Sequence, residues 1–402
     1  MNISLILRIF IGLVIGAILG FVIPGQTWIS IFGDIFVGAL KGIAPILVFV
    51  LVTSSLANAK GGNASRFRTV ISLYLLSTLI AAIVAVCANF IFKVTVPLTG
   101  LEEVAEDLTP PSSVFEVLKN LCLSFVANPV DAIANANYIA ILFWAVVTGL
   151  ALKVAGTGTK AFFSDMADAL SKVVRWVINC APFGIMGLVF NAVSTSGLAI
   201  FKQYGQLVAL LVCTMLFVLL GVNALIVGIA LRHNPYPLIF HCIKKSAITA
   251  FFTRSSAANI PVNMELCKEL GLDEDMYSVS IPLGSTINMD GAAVTITTLT
   301  LVACWTTGVQ VTFPMAILLS IVATLSACGT SGVAGGSLLL VPLGCSMFGI
   351  PIDIAMQMVG IGFIISVIQD SVETALNSCG DAIFTSTAEF MIWKKEGRKL
   401  PL

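Results

Sequence analysis

The chain has 402 residues, of which 58% are hydrophobic and only 10% carry charge, and its 21 acidic and 21 basic side chains leave no net charge. Mean hydropathy is +1.02. Such a composition excludes a water-soluble globule, offers no electrostatic footing for nucleic acid, and describes a polytopic membrane protein.

The N-terminus (M-N-I-S-L-I-L-R) leads directly into the apolar residues 9–23, and no small-residue cleavage site follows. We therefore expect an uncleaved first helix. Residues 69–92, 132–152 and 203–231 contain no charge, and each run is long enough to cross a hydrocarbon core of ~30 Å. Loop charge orients them. Arg8, then Lys60, Arg66 and Arg68, then Lys153 and Lys160, then Arg232, Lys244 and Lys245, then Lys394, Lys395, Arg398 and Lys399 belong on the cytoplasmic side. The loop with Glu102, Glu103, Glu106 and Asp107 belongs outside. Alternation predicts crossings near 8–23, 34–57, 69–96, 135–153, 164–195 and 203–231, with both termini cytoplasmic. The ten Cys residues form no C-x-x-C pair and read as small buried hydrophobes, with no disulfide framework or zinc site. His233 and His241 flank a Pro-rich turn near Lys244 and Lys245 and read as interfacial.

The second half resists simple counting. From Gly291 to Ile352 there is no Asp, Glu, Lys, Arg or His, yet the stretch is broken by T-T-G at 306–308 and C-G-T-S-G-V-A-G-G at 328–336. A second break lies at 253–261 (T-R-S-S-A-A-N-I-P). Uncharged breaks between apolar flanks suggest re-entrant hairpins, because non-helical backbone at membrane depth must face protein or a wet cavity. Each break precedes a segment with a buried amide and acid: Asn288 with Asp290, and Asn377 with Asp381. Paired interruptions of this kind point to a secondary transporter's site.

The segment 281–291 (I-P-L-G-S-T-I-N-M-D-G) places Asn288 and Asp290 two residues apart. A continuous helix would aim them about 200° apart, so both serve one site only if the helix unwinds, which Gly284 and Gly291 ease. Freed carbonyls and one carboxylate would form an oxygen cage suited to a hard cation, sodium or a proton. Further on, Asp370, Thr374, Asn377 and Asp381 fall at i, i+4, i+7 and i+11, within an arc of about 60° on a helix, with Glu373 beside it. No Lys or Arg follows until Lys394. Acids at membrane depth cost roughly 2.5–3.5 kcal/mol each and mark ion or substrate pathways. No nucleophile elbow, P-loop or H-E-x-x-H appears, so no enzymatic chemistry is expected.

Four segments in order resemble the dicarboxylate/amino-acid:cation symporter family, to which glutamate transporters belong. R-S-S-A-A-N-I-P is similar to that family's first hairpin tip, N-M-D-G to its seventh-helix signature, G-T-S-G-V-A-G-G to its second hairpin tip, and D-S-V-E-T-A-L-N-S-C-G-D to its eighth helix. The resemblance implies an all-α fold of eight transmembrane helices and two re-entrant helical hairpins, with inverted repeats. It implies a homotrimer in the bacterial inner membrane. A scaffold (about 1–68 and 97–200) would hold a transport part (about 69–96 and 201–402) that moves like an elevator. Within the transport part, hairpin 1 is expected near 235–270, helix 7 near 276–307, hairpin 2 near 313–349 and helix 8 near 351–392.

Residue roles follow by the same resemblance. Asn377 and the hairpin serines Ser255 and Ser256 would meet the substrate carboxylate, and Asp370 its ammonium. Arg254 and Val333 would offer backbone oxygens, Gly335 an N–H, and Thr374 a hydroxyl to the substrate side chain. One sodium would sit among Gly284, Asn288, Asn377 and Asp381, and a second near Thr286, Ala327, Cys328 and Thr330. A third would take Asp290 with Tyr74, Ser77, Thr78 and Asn288, since Y-L-L-S-T resembles the third-helix motif.

Acidic-substrate members carry Arg where this chain has Glu373. A substrate carboxylate there would meet a like charge, whereas a hydroxyl could hydrogen-bond to Glu373 or Thr374. The pattern is similar to the bacterial sodium/serine-threonine symporters. It implies sodium-coupled import of L-serine and L-threonine, with sodium as coupling ion and no other cofactor. Arg254 is expected to pair with Glu373. The alternatives are an acidic amino acid or C4-dicarboxylate carrier, although a dicarboxylate lacks the ammonium that Asp370 is suited to meet, and an ion channel lined by the same stripe.

Overall fold

A computed structural model describes residues 5–58, 64–98, 123, 126–198, 200–328 and 335–401. Helices make up its regular structure, and no strand occurs among the described residues. Among the described residues, five helices are long and apolar enough to cross a membrane: Ile31–Asn58, Phe67–Phe92, Ile200–Leu231, Glu274–Thr307 and Ile352–Lys395. Shorter apolar helices run over Leu7–Val22, Ala140–Val154, Phe313–Ala327 and Ser337–Ser346. Large apolar side chains such as Phe10, Phe21, Ile35, Ile91 and Phe252 remain exposed on the outside, a surface suited to lipid. The acidic loop of Glu102, Glu103, Glu106 and Asp107 lies outside the described residues.

The N-terminal helices pack on one another through small residues. Helix α1 (Leu5–Val22) lies along α2 (Ala181–Ser196). A Cβ added at Gly12 would stand 2.2 Å from the Pro182 carbonyl oxygen, and one at Gly16 2.4 Å from that of Met186. Backbones this close require glycine, the usual device where lipid removes any hydrophobic drive between helices. Helix Ile31–Asn58 packs against Ala181–Ser196, Tyr138–Ala151 and Thr157–Asn179. The stretch expected as one crossing over 164–195 is built from two helices, Thr157–Asn179 and one starting at Ala181, bent by 53°. Pro182 in the first turn of the second helix explains the break, since its ring cannot continue the preceding helix.

The 44-residue helix α3 (Ile352–Lys395) forms the axis of the remainder. Around it pack helix Ile200–Phe217 with its continuation Asn223–Leu231, the segments between Tyr236 and Glu269, and the helices Glu274–Ile287 and Asp290–Thr307. Helix Ala64–Phe92 covers Asp290–Thr307 and Phe313–Ala327 from outside.

Two local features position the site. The run Tyr236–Cys242, Ile243–Ala247 and Ile248–Thr253 stops at Arg254, whose φ of 52° lies in the left-handed region. Ser255 is extended and its hydroxyl accepts from the Ala258 N–H, so the chain re-enters as the helix Ser256–Glu269. The expected break at 253–261 is thus confined to Arg254 and Ser255. The expected unwinding near Asn288 is also present: Glu274–Ile287 ends at Asn288 (φ −93°, ψ 85°), and Asp290–Thr307 begins after Met289 (φ −124°, ψ 51°). Where the second hairpin is expected, the helices Phe313–Ala327 and Ser337–Ser346 are described, while the expected tip with Thr330 and Val333 lies outside the described residues.

Candidate functional site

The buried polar groups on α3 and beside it form three clusters. In the first, the Arg254 Nε donates to Asp370 Oδ2 at 2.7 Å, and the Gly335 N–H donates to Asp370 Oδ1 at 3.1 Å. Asp370 is 2% and Arg254 9% exposed. The carboxylate therefore ties the turn at Arg254 and the backbone at Gly335 to the axis. Glu373, expected to hold Arg254, does not. Its Oε2 accepts from Thr295 Oγ1 at 2.6 Å, from Ser337 Oγ at 2.8 Å, and from Gln369 Nε2. Helix geometry explains the correction. Residues 370 and 373 sit about 60° apart on α3. Asp370 faces the turn at Arg254, whereas Glu373 lies against Gly291, where an added Cβ would come 2.9 Å from the Glu373 Cα. Thr374 and Ser256 are buried in the same region.

The second cluster joins α3 to the break at 288–291. Asn377 Oδ1 accepts the Gly291 N–H at 2.7 Å, and its Nδ2 faces Met289 Sδ at 3.5 Å. Asn288 Nδ2 donates to the Asn377 carbonyl and to Asp381 Oδ1, each at 3.0 Å. Asp381 Oδ2 is buried with no hydrogen-bond partner. Gly284 permits this approach, since a Cβ there would lie 2.7 Å from Asp381 Oδ1 and 2.8 Å from Tyr74 Oη. The Tyr74 hydroxyl meets Thr385 Oγ1 at 2.8 Å and the Asp381 and Ser280 carbonyls at 3.2 Å.

The third cluster surrounds Asp290, which has no exposed surface. Its Oδ1 accepts from Ser77 Oγ at 2.8 Å and Thr78 Oγ1 at 3.0 Å, and its Oδ2 from Asn223 Nδ2 at 3.2 Å. Ser77 also reaches Asn288 Oδ1 at 3.3 Å, so Asn288 bridges the second and third clusters. Tyr74 joins this cluster through its carbonyl, which accepts from Ser77 and Thr78, and not through its hydroxyl. Near the remaining expected oxygens, Cys328 Sγ approaches the Ile287 carbonyl at 3.4 Å beside Ala327, while Thr286 Oγ1 turns back to Leu283 O at 2.8 Å.

Among the described residues, neither Asp290 nor Asp381 takes a hydrogen bond or ion pair from Lys, Arg or His. Nor does any group of three or more His, Cys, Asp or Glu side chains form that could hold a metal ion. Single carboxylates with neutral oxygens around them suit a hard cation better than the softer transition metals. Sequence reasoning missed Asn223, Thr295, Ser337 and Gln369. The only available signal for Asn223 was an amide in an otherwise uncharged run, which needs a buried partner.

The sequence profile described as the sodium:dicarboxylate symporter family matches residues 5–390. The chain belongs to that family. It is 57% identical over 399 residues to the serine/threonine transporter SstT of Bifidobacterium adolescentis, covering 99% of this chain and 92% of the relative. It is 55% identical to the serine/threonine transporter SstT of Streptococcus agalactiae serotype III, and 54% to that of Streptococcus thermophilus strain LMG 18311. Those two alignments cover 98% of this chain and 97% of each relative. Family membership makes the chain a transporter and not an enzyme. The buried acids of α3 and of the 288–291 break accordingly sit in a carrier.

Proposed function

We propose that this chain is a sodium-coupled symporter that imports L-serine and L-threonine. The observation that carries sodium coupling is the unpartnered Asp381 Oδ2, a carboxylate oxygen sealed from water with no basic neighbour. An ionised carboxylate so placed needs a cation beside it. Gly284, Asn288, Asn377 and Asp381 would hold one sodium. The converging ends near Thr286, Ala327, Cys328 and Thr330 would hold another, and Asp290 with Tyr74, Ser77, Thr78 and Asn288 a third.

The substrate assignment is supported by the names of the relatives at 54–57% identity and by Glu373. A buried acid clamped by Thr295, Ser337 and Gln369 repels a second carboxylate, which argues against aspartate and C4-dicarboxylates. The amino-acid ammonium meets Asp370, displacing or sharing the Arg254 guanidinium that balances this carboxylate otherwise. Its carboxylate meets Asn377 and the first hairpin turn at Ser255 and Ser256, with Val333 and Gly335 closing from the second hairpin. The Thr374 hydroxyl meets the side-chain end. A channel is the poorer reading, because Asp370 bonds both Arg254 and the Gly335 N–H across the site, which suits a closed pocket better than an open file.

In this reading the chain crosses a bacterial inner membrane eight times with two re-entrant hairpins, both termini cytoplasmic, and assembles as a trimer. The helices up to 58 and from 129 to 196 form the scaffold. Those around α3 form the transport part. Serine uptake into proteoliposomes, with and without an inward sodium gradient and with competing aspartate, tests the proposal. Uptake independent of sodium, or inhibited by aspartate as strongly as by threonine, overturns it.

A further inference from the structure

The third cluster holds one residue with no part in the roles set out above. Asn223 has no exposed surface, lies 67 positions before Asp290 and donates through Nδ2 to Asp290 Oδ2 at 3.2 Å. That bond fixes which end of the amide faces the carboxylate. The other end, Asn223 Oδ1, is buried and has no hydrogen-bond partner. By covalent geometry the two ends of an amide are only about 2.3 Å apart, so the free oxygen lies beside the same carboxylate. The buried amides Asn89, Asn259 and Asn263 also leave Oδ1 unpartnered, but their Nδ2 groups bond hydroxyls and carbonyls, whereas that of Asn223 bonds an acid.

The backbone supports a placed residue. Asn223 follows a single π-helical turn, Val218–Val222, and its N–H bonds to the Val218 carbonyl. Such turns cost helix geometry and concentrate where a side chain must be re-aimed at a site. Nothing in the run V-L-L-G-V demands one, for it holds no Pro and only one Gly. The turn immediately precedes Asn223, the amide of this helix that meets Asp290.

The geometry points to Asn223 as a further ligand of the cation at Asp290. Its Oδ1 completes the oxygen set that Asp290, Ser77, Thr78, Asn288 and the Tyr74 carbonyl begin, and the π turn presents it. This rests on the reading of Asp290 as a sodium site, so the test separates the two.

Asn223→Leu, Asn223→Ser, Asn223→Ala and Asp290→Asn are prepared as full-length protein in proteoliposomes. Serine uptake is followed as sodium is varied, and sodium protection against thermal unfolding is followed without serine. Asn223→Leu should raise the half-saturating sodium about tenfold or more, the scale seen for residues that support metal ligands. Asn223→Ser, which keeps an oxygen, should shift it less than Asn223→Ala. The serine requirement at saturating sodium should not move. A structural amide would instead lower thermal stability in choline and leave both sodium readouts at the parent value, and that result overturns the assignment. If Asn223→Leu fails to insert, the Ser and Ala variants decide alone: parental sodium dependence in both rejects it. Parental sodium dependence in Asp290→Asn as well rejects the Asp290 site itself, whereas loss only in Asp290→Asn rejects Asn223 alone.

Discussion

Adding one methyl group at Gly284 tests the Asp381 site without touching any charge. In Gly284→Ala the new Cβ would stand 2.7 Å from Asp381 Oδ1, 2.9 Å from its Cγ and 2.8 Å from Tyr74 Oη. Ordinary contact begins near 3.5 Å, so the carboxylate must retreat by about 0.8 Å. It has little room. Asp381 Oδ1 holds Asn288 Nδ2 at 3.0 Å, and Tyr74 is anchored on Thr385 at 2.8 Å. Losing that charged hydrogen bond costs about 1.5–3 kcal/mol, and overpacking adds about 1–3 kcal/mol. Because the displaced atoms belong to the proposed cation cage, we expect sodium affinity to fall about 10- to 100-fold. The helix already ends at Ile287, three residues on, so its backbone should survive. Sodium activation of serine uptake and sodium protection against unfolding, measured on variant that inserts normally, check this. A folded Gly284→Ala with the parent's sodium half-saturation would refute the placement of a cation between Gly284 and Asp381.

Asp381→Asn should abolish the sodium dependence of uptake while the protein still inserts, since the amide removes the charge that the cation offsets; unchanged sodium activation would make the stripe structural. Asp370→Asn should weaken serine binding by about 3 kcal/mol or more, because a buried ammonium loses its ionic partner, while sodium protection without serine persists; a binding isotherm checks both. Glu373→Arg should weaken serine transport and admit aspartate binding only when Arg254 is also neutralised. The structure adds a reason for the difficulty: Thr295, Ser337 and Gln369 donate to Glu373, and an Arg accepts none of those bonds. Competition assays on Glu373→Gln, Glu373→Arg and its Arg254→Ser double variant settle this, and an unchanged serine-over-aspartate ratio in all three would remove Glu373 from substrate choice.

The parts of this molecule legible in its sequence are those governed by local rules. The stripe Asp370–Asp381 obeys a 3.6-residue period, and α3 presents it as one buried face. The unwound Asn288–Met289 follows from two polar groups that no continuous helix could aim together. What stayed hidden depends on contacts between distant segments. Whether Arg254 would choose Asp370 or Glu373 is decided by the left-handed turn at 254 and by how closely Gly291 lets the next helix approach, and neither has a sequence period. Asn223 is set against Asp290 by a π turn in a run of ordinary apolar residues. The bend before Pro182, within the expected crossing over 164–195, also has no hydrophobic period to announce it.

The most direct test of sodium coupling is the initial rate of radiolabelled serine uptake into proteoliposomes holding only this protein, measured with an inward sodium gradient and with choline in its place. Accumulation driven by the sodium gradient, and lost in choline and in Asp381→Asn, is the predicted result. Equal accumulation in choline would contradict the account.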